Sequence, residues 1–273
     1  MHRINLSLMP KAARHAALAT VALVLALAVG LAGCQNKVEP APETGADYYP
    51  IAVGNFWVFA VADTTYSSVG GSGANFTPSV ATASAYRFKE TIKEIFTDAA
   101  GQTAYRLVRS KLLPPATTYR DDSVFVLSAT PQFVAQNRNN IRTLELIFPV
   151  REGHSWNFNA FNNNFNDTIT AETRRYSRVG QPFTTETLAG NPAKTYASTV
   201  TTTNTGAAAE NSLIKRMGCQ QVFAKGVGPV FRSRFYFVNY NYPDPTTGNQ
   251  VYPPKAYTSA FSRREILIDY GPR

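Results

Sequence analysis

The stretch Tyr86-Arg87-Phe88-Lys89-Glu90-Thr91-Ile92-Lys93 decides the fold class. Tyr86, Phe88, Glu90 and Ile92 alternate with Arg87, Lys89, Thr91 and Lys93. That is the two-residue period of a strand with one polar face, not the helical repeat. Asp98-Ala99-Ala100-Gly101 supplies a turn, and on the return Tyr105, Leu107 and Arg109 alternate with Arg106, Val108 and Ser110. Residues 84–112 therefore read as a β-hairpin, closed off by Pro114-Pro115.

Upstream, Phe56-Trp57-Val58-Phe59-Ala60-Val61 predicts a strand from Phe56 to about Asp63, entered through the turn residues Gly54-Asn55. Residues 64–82, with Gly70-Gly71-Ser72-Gly73, read as a long flexible loop. Downstream, strands are expected at Ser123–Ala129, Arg142–Val150, Asp167–Tyr176, Phe183–Leu188, Lys194–Thr203, Gln221–Ala224, Pro229–Tyr240 and Tyr257–Tyr270. Ala207–Met217 is the one stretch that admits a short helix. Strands separated by turns, without alternating helices, predict an antiparallel all-β domain, a sandwich or a partly open barrel, as a single domain over residues 49–273.

Ahead of this domain, Arg3, Lys11 and Arg14 precede a run from Ala16 to Gly33 that is apolar or small except for Thr20. This is the charge and hydropathy pattern of an export signal. A retained membrane helix is the alternative, since the run could just cross a bilayer. Its Ala and Gly content, the lack of a basic cluster after it and the Cys at its end favour cleavage. Residues 1–33 are thus expected as a signal peptide and 34–48, with Pro40, Pro42 and Gly45, as a flexible tether.

Leu31-Ala32-Gly33-Cys34 resembles the lipobox of bacterial lipoproteins. The resemblance implies cleavage before Cys34, a diacylglyceryl group on its thiol and acylation of the new amine, a set of chains sufficient for stable anchoring. Gln35 stands where an Asp would mark inner-membrane retention, so an outer-membrane anchor is expected, with the periplasmic and external leaflets both open. Tyr48-Tyr49-Pro50 with Val53-Gly54-Asn55-Phe56-Trp57, Leu146-Ile147-Phe148-Pro149-Val150 and Val222-Phe223-Ala224-Lys225-Gly226-Val227-Gly228 together resemble uncharacterised Bacteroidota lipoproteins. That resemblance implies an exported β domain and supplies no functional residues.

Arg3, Lys11 and Arg14 account for three of the 27 basic residues, so the chain beyond them carries 24 against 18 acidic residues, a net of +6. The excess is dispersed among Arg87, Arg106, Arg109, Arg142, Arg174, Arg175, Arg232, Arg234, Arg263 and Arg264, unlike the clustered basic footprint of a nucleic-acid binder. With Cys34 assigned to lipid, Cys219 has no partner for a disulfide or a thiolate metal site, and it reads as a small buried hydrophobe. After cleavage His154 is the one remaining histidine, which excludes a multi-histidine metal centre. No cofactor is expected.

Candidate chemistry is sparse. Gly226-Val227-Gly228 lacks the third Gly of a dinucleotide fingerprint and the Gly-Lys of a P-loop, so it reads as a strand bulge. Asp121-Asp122 has no following ligand series for calcium and reads as a polar turn. Glu90 and Glu94 would lie on one strand face about 13 Å apart, too far for a glycosidase pair, and suggest ordinary cross-strand charge pairing with Lys89 and Lys93 nearby. His154 precedes core Trp156 in a turn, and Ser155 would point to the opposite face, so neither is assigned a catalytic role. Tyr236, Tyr240 and Tyr242, mostly on one strand face, are the candidate ligand-binding aromatics. Phe158, Phe161 and Phe165 among asparagines are a weaker version of the same pattern. Ring faces and amides together grip sugars or peptides, and the plain alternative is aromatic packing in a half-buried sheet.

The expected role is therefore non-enzymatic, binding or structural, in a protein held to the membrane by lipid with a glycan, peptide or lipid ligand. The alternatives are a hydrolase of envelope or external glycan and a carrier of an apolar ligand. Converging carboxylates would favour the first and an apolar cavity the second.

Overall fold

The computed structural model describes residues 44–162, 172–205 and 210–272. Cys34, the signal segment and most of the expected tether lie outside the described residues, as does Phe165. The domain is antiparallel and all-β. Its strands are β1 (Phe56–Tyr66), β2 (Ala81–Thr97), β3 (Thr103–Leu112), β4 (Arg120–Ala129), β5 (Phe133–Arg138), β6 (Ile141–Ile147) and β7 (Ser155–Asn157). They continue as β8 (Thr173–Thr184), β9 (Thr195–Thr205), β10 (Lys215–Ala224), β11 (Gly228–Asn239), the short pair β12 (Tyr242–Pro243) and β13 (Gln250–Val251), and β14 (Tyr257–Gly271). Twelve of them form one sheet in the order β6-β5-β4-β3-β2-β1-β14-β11-β10-β9-β8-β7. This sheet curls until it is nearly closed into a barrel, the second of the two architectures expected.

Two expectations change. Lys215–Met217, allowed as helix, begin β10. Phe133–Arg138, read as a connection, is a strand whose two-residue link to β6, Asn139-Asn140, has positive φ at both residues, the backbone of a tight hairpin turn that Asn tolerates. The loop after β1 is also shorter than predicted, because β1 runs on to Tyr66 and β2 starts at Ala81.

β6 and β7 form no ladder with each other, yet β6 has no free edge. Asn162 receives the Arg142 N–H and donates to the Arg142 carbonyl. The Leu144 N–H donates to the Phe158 carbonyl, and the Trp156 indole N–H donates to the Leu144 carbonyl. The Tyr176 hydroxyl accepts from the Ile147 N–H and donates to the Ile147 carbonyl, both at 2.8 Å. Side chains thus complete the hydrogen bonding that a thirteenth strand would supply.

One end of the barrel is filled. Trp57, Phe59, Ile92, Leu107, Leu127, Leu146, Tyr176 and Leu267 are each at most 1% exposed. Thr44–Tyr49 closes this end, so the packed domain begins inside the segment expected as tether. The Val150 N–H donates to the Thr44 carbonyl, the Gly226 N–H donates to the Asp47 carbonyl, and the Tyr49 ring meets Trp57 edge-on at 5.6 Å. The Gly226-Val227-Gly228 turn joins β10 to β11 against the same indole. The Trp57 N–H donates to the Val227 carbonyl, and a Cβ on Gly228, whose φ is +105°, would lie 2.6 Å from Trp57 Nε1. Only glycine meets both constraints. Outside the wall, the β8–β9 connection packs Leu188 and Phe183 over Phe231 and Ile266. Arg87, Lys93 and Arg106 stand exposed on the outer face of β2 and β3, a wall built for water and not for acyl chains.

Candidate functional site

The apolar register of the wall continues upward into charge. Along β2 the inward positions run Ile92, Glu90, Phe88, Tyr86, so Glu90 occupies a core position and is 1% exposed. It lies opposite Arg109 of β3. Arg109 donates to Glu90 Oε1 through Nε at 3.0 Å and Nη2 at 2.5 Å. Arg232 of β11 grips both Glu90 oxygens, Nη1 to Oε1 and Nη2 to Oε2 at 2.9 Å each, and also reaches Glu265 Oε2 at 3.2 Å. Glu90 is therefore no partner of Lys89 or Lys93. Glu94 sits past a register shift on the outside and pairs with Arg106.

The guanidiniums rest on rings that divide floor from lumen. Arg109 lies over Phe88 and Phe125 at 4.7 and 4.8 Å, and Arg232 lies over Phe59 at 4.5 Å, in cation–π geometry. Burial alone would raise the Glu90 pKa, but the charges and hydrogen bonds of Arg232 and Arg109 outweigh it and hold the carboxyl at about 2. A general acid needs the opposite shift.

Above this layer is a cavity of about 210 Å³. Its wall carries Arg109, Arg138, Arg174, Arg232, Arg234 and Arg263 with Glu145, Glu172 and Glu265. Arg174 binds Glu172 Oε1 at 2.8 Å, and Arg263 binds Asp63 Oδ2 at 2.6 Å. Arg138 and Arg234 form no ion pair with a described residue. Burial and then the like charge of Arg109 pull Arg138 below the usual guanidinium range; Asp122 opposes them, and Arg263 and Arg234 add smaller pulls. Two further groups of the wall lack partners. Arg174 is 4% exposed, and its Nη1 is buried without a hydrogen bond, as is Gln221 Oε1. Unmade hydrogen bonds to buried charged groups are costly, which marks them as places for a ligand or water.

Cys219 sits on this wall, so its surroundings are polar, unlike those of the buried hydrophobe expected. Burial raises its pKa while Arg174 and Arg234 pull it down, leaving it raised overall. Among the described residues no group of three His, Cys, Asp or Glu is arranged to hold a metal ion.

The candidate aromatics divide. Tyr236 shares the inward face of β11 with Arg232 and Arg234, and it stacks on Phe261 of β14 at 6.0 Å and 23°. Both rings line a second cavity of about 300 Å³ with Met217, Asn204 and Ser259. Glu172, Cys219 and Arg234 line both cavities, which therefore adjoin. Tyr240 and Tyr242 do not join Tyr236. They lie beyond the end of β11, where they cluster with Phe76 at ring separations of 6.0 to 6.4 Å. Phe158 lies under Arg174 at 3.7 Å and lines the charged cavity with it, whereas Phe161 packs on Phe133. His154 is exposed in the turn before β7, where its backbone bonds Arg151 and Tyr176.

The arginine wall was missed because its members come from β3, β5, β8, β11 and β14, far apart in sequence. A signal existed in the register: Glu90 between Phe88 and Ile92, Arg109 two residues after Leu107, and Arg263 and Glu265 leading into Leu267 all fall on core parity. No protein-family model, curated protein or solved structure matches the chain.

Proposed function

We propose that the protein is a non-enzymatic binding protein of the cell envelope, anchored through Cys34, that holds a small anion in the lumen of its barrel. The observation carrying this reading is the charge of the cavity wall, where six arginines meet three glutamates. Counting Glu90 and Asp63, which brace Arg109, Arg232 and Arg263 from behind, positive charge still exceeds negative. Arg138 and Arg234 are exposed on this wall and form no ion pair with a described residue, so both guanidiniums are available to an incoming oxyanion. The polar wall argues against an apolar-ligand carrier, and the depressed Glu90 argues against a hydrolase built on that carboxylate.

Titration with inorganic phosphate and sulfate tests the reading. Saturating anion should raise thermal stability, by about 2.7 kcal/mol at a hundredfold excess over Kd. The double variant R138A/R234A should lose that response while the free protein stays at least as stable as wild type, because two unpaired like charges are gone. An unchanged response in the double variant, or none in the wild type, would sink the proposal.

A further inference from the structure

The second cavity narrows the class of ligand, given the anion-binding reading above. We infer that the ligand is an oxyanion carried on a ring, its charged group held by Arg138, Arg174 and Arg234 and its ring against Tyr236 and Phe261. Three observations converge. The two cavities adjoin at Glu172, Cys219 and Arg234, which line both, and a molecule reaching past these side chains would occupy both. Arg234 and Tyr236 stand on the same face of β11 two residues apart, a separation of about 7 Å along the strand. From neighbouring positions on one strand face, an arginine and a tyrosine can reach the anionic group and the ring of one small molecule. The mouth itself is of mixed chemistry, with the faces of Tyr236 and Phe261 and the thioether of Met217 beside Asn204 and Ser259. Bare phosphate would leave these surfaces uncovered, and a fatty acyl chain would have to lie against the guanidiniums of the inner wall.

The arrangement is a two-point clamp. Arg174 contributes an Nη1 with no hydrogen-bond partner among the described residues, Arg138 and Arg234 contribute guanidiniums without an ion pair to a described residue, and the stacked pair fixes the plane of the ring. Lys215, ion-paired with Glu210 at 3.7 Å, brings its Nζ within 5.6 Å of the Tyr236 ring centroid at the mouth. Tyr236 is accordingly a specificity-determining residue, while Arg138, Arg174 and Arg234 set the charge of what is bound.

Calorimetric titration of the full chain with phenyl phosphate, glucose 6-phosphate and inorganic phosphate tests this inference. Ring stacking should make at least one of the two ring-bearing phosphates bind about tenfold more tightly than inorganic phosphate. In Y236A that preference should fall to about twofold or less, with inorganic phosphate binding as before, and Y236F should retain it. A preference for phenyl phosphate identifies a flat aryl ring, and a preference for glucose 6-phosphate identifies a sugar. Equal affinity of all three for the wild type overturns the inference while leaving the anion reading intact. Failure of all three to bind overturns both. Should Y236A fail to fold, F261A removes the other half of the stack and must show the same loss of preference; a preference that survives it refutes the assignment.

Discussion

Replacing Glu90 by Gln keeps the shape of the side chain and removes the charge that two buried guanidiniums share. Arg232 retains Glu265 at 3.2 Å, but Arg109 loses its only ion pair among the described residues, to a group 1% exposed. Breaking a buried pair by removing one partner costs roughly 3 to 5 kcal/mol. The titration gives a second route to the figure. The carboxyl falls from the ordinary 4.5 to about 2 on folding, a difference worth about 3 kcal/mol. For a domain of this length that corresponds to a fall in Tm of about 10 °C.

The sign with pH follows directly. A carboxyl whose pKa is depressed by folding stabilises the native state fully above its unfolded pKa, and that contribution is lost as pH falls from about 4.5 towards 2. Wild type and E90Q should therefore differ most at pH 7, with the gap narrowed to about 1 kcal/mol or less by pH 2.5. Urea unfolding at both pH values, followed by tryptophan fluorescence, measures the difference. An E90Q variant within 1 kcal/mol of wild type at pH 7, or a gap that does not narrow in acid, would refute the account of Glu90 as an ionised keystone. The variant E90L/R109M/R232M/E265L separates stability from use. Replacing a buried ionic cluster by apolar side chains is often neutral or stabilising, so it should fold and should weaken phosphate binding.

Three further outcomes follow from the structure. Y176F loses both hydrogen bonds to the Ile147 backbone, which should cost about 1 to 3 kcal/mol and speed hydrogen exchange at the Ile147 amide; unaltered exchange there would contradict the seam. G228A forces an alanine to φ +105° and its Cβ to within 2.6 Å of Trp57 Nε1, so it should destabilise by at least about 2 kcal/mol and shift Trp57 fluorescence, whereas a neutral effect would mean the turn can rebuild. C34S should move the protein from the membrane fraction to the soluble fraction, and unchanged membrane association would dispose of the lipid anchor.

The sequence discloses the architecture where strands carry apolar residues on one face, and it fails where the inward face is polar. The β2–β3 hairpin and β1 are legible because Phe59, Phe88, Ile92 and Leu107 stand against charged outer neighbours. β5 escapes because its inward residues include Gln136 and Arg138, so its strand half nearest the turn reads as loop. The beginning of β10 escapes for the same reason: Met217, Cys219 and Gln221 face a polar lumen, and the alternation a strand should show is flattened. The two failures adjoin the candidate site, as expected where function displaces ordinary core residues. Of the three candidate tyrosines, Tyr236 reaches the lumen by sharing the parity of Arg232 and Arg234. Tyr240 and Tyr242 do not, because parity ceases to predict direction past the end of the ladder at Asn239.

The side chains that satisfy β6 bear on the fate of the protein in a crowded compartment. An open row of amide and carbonyl groups is a template on which another chain can add a strand, the first step of edge-to-edge aggregation. Asn162, Trp156 and Tyr176 consume that template at Arg142, Leu144 and Ile147, so these groups of β6 are not open to an added strand although the barrel is not fully closed. Loss of any of the three would unmask a growth point, and oligomers seeded at β6 would be the form that damage takes.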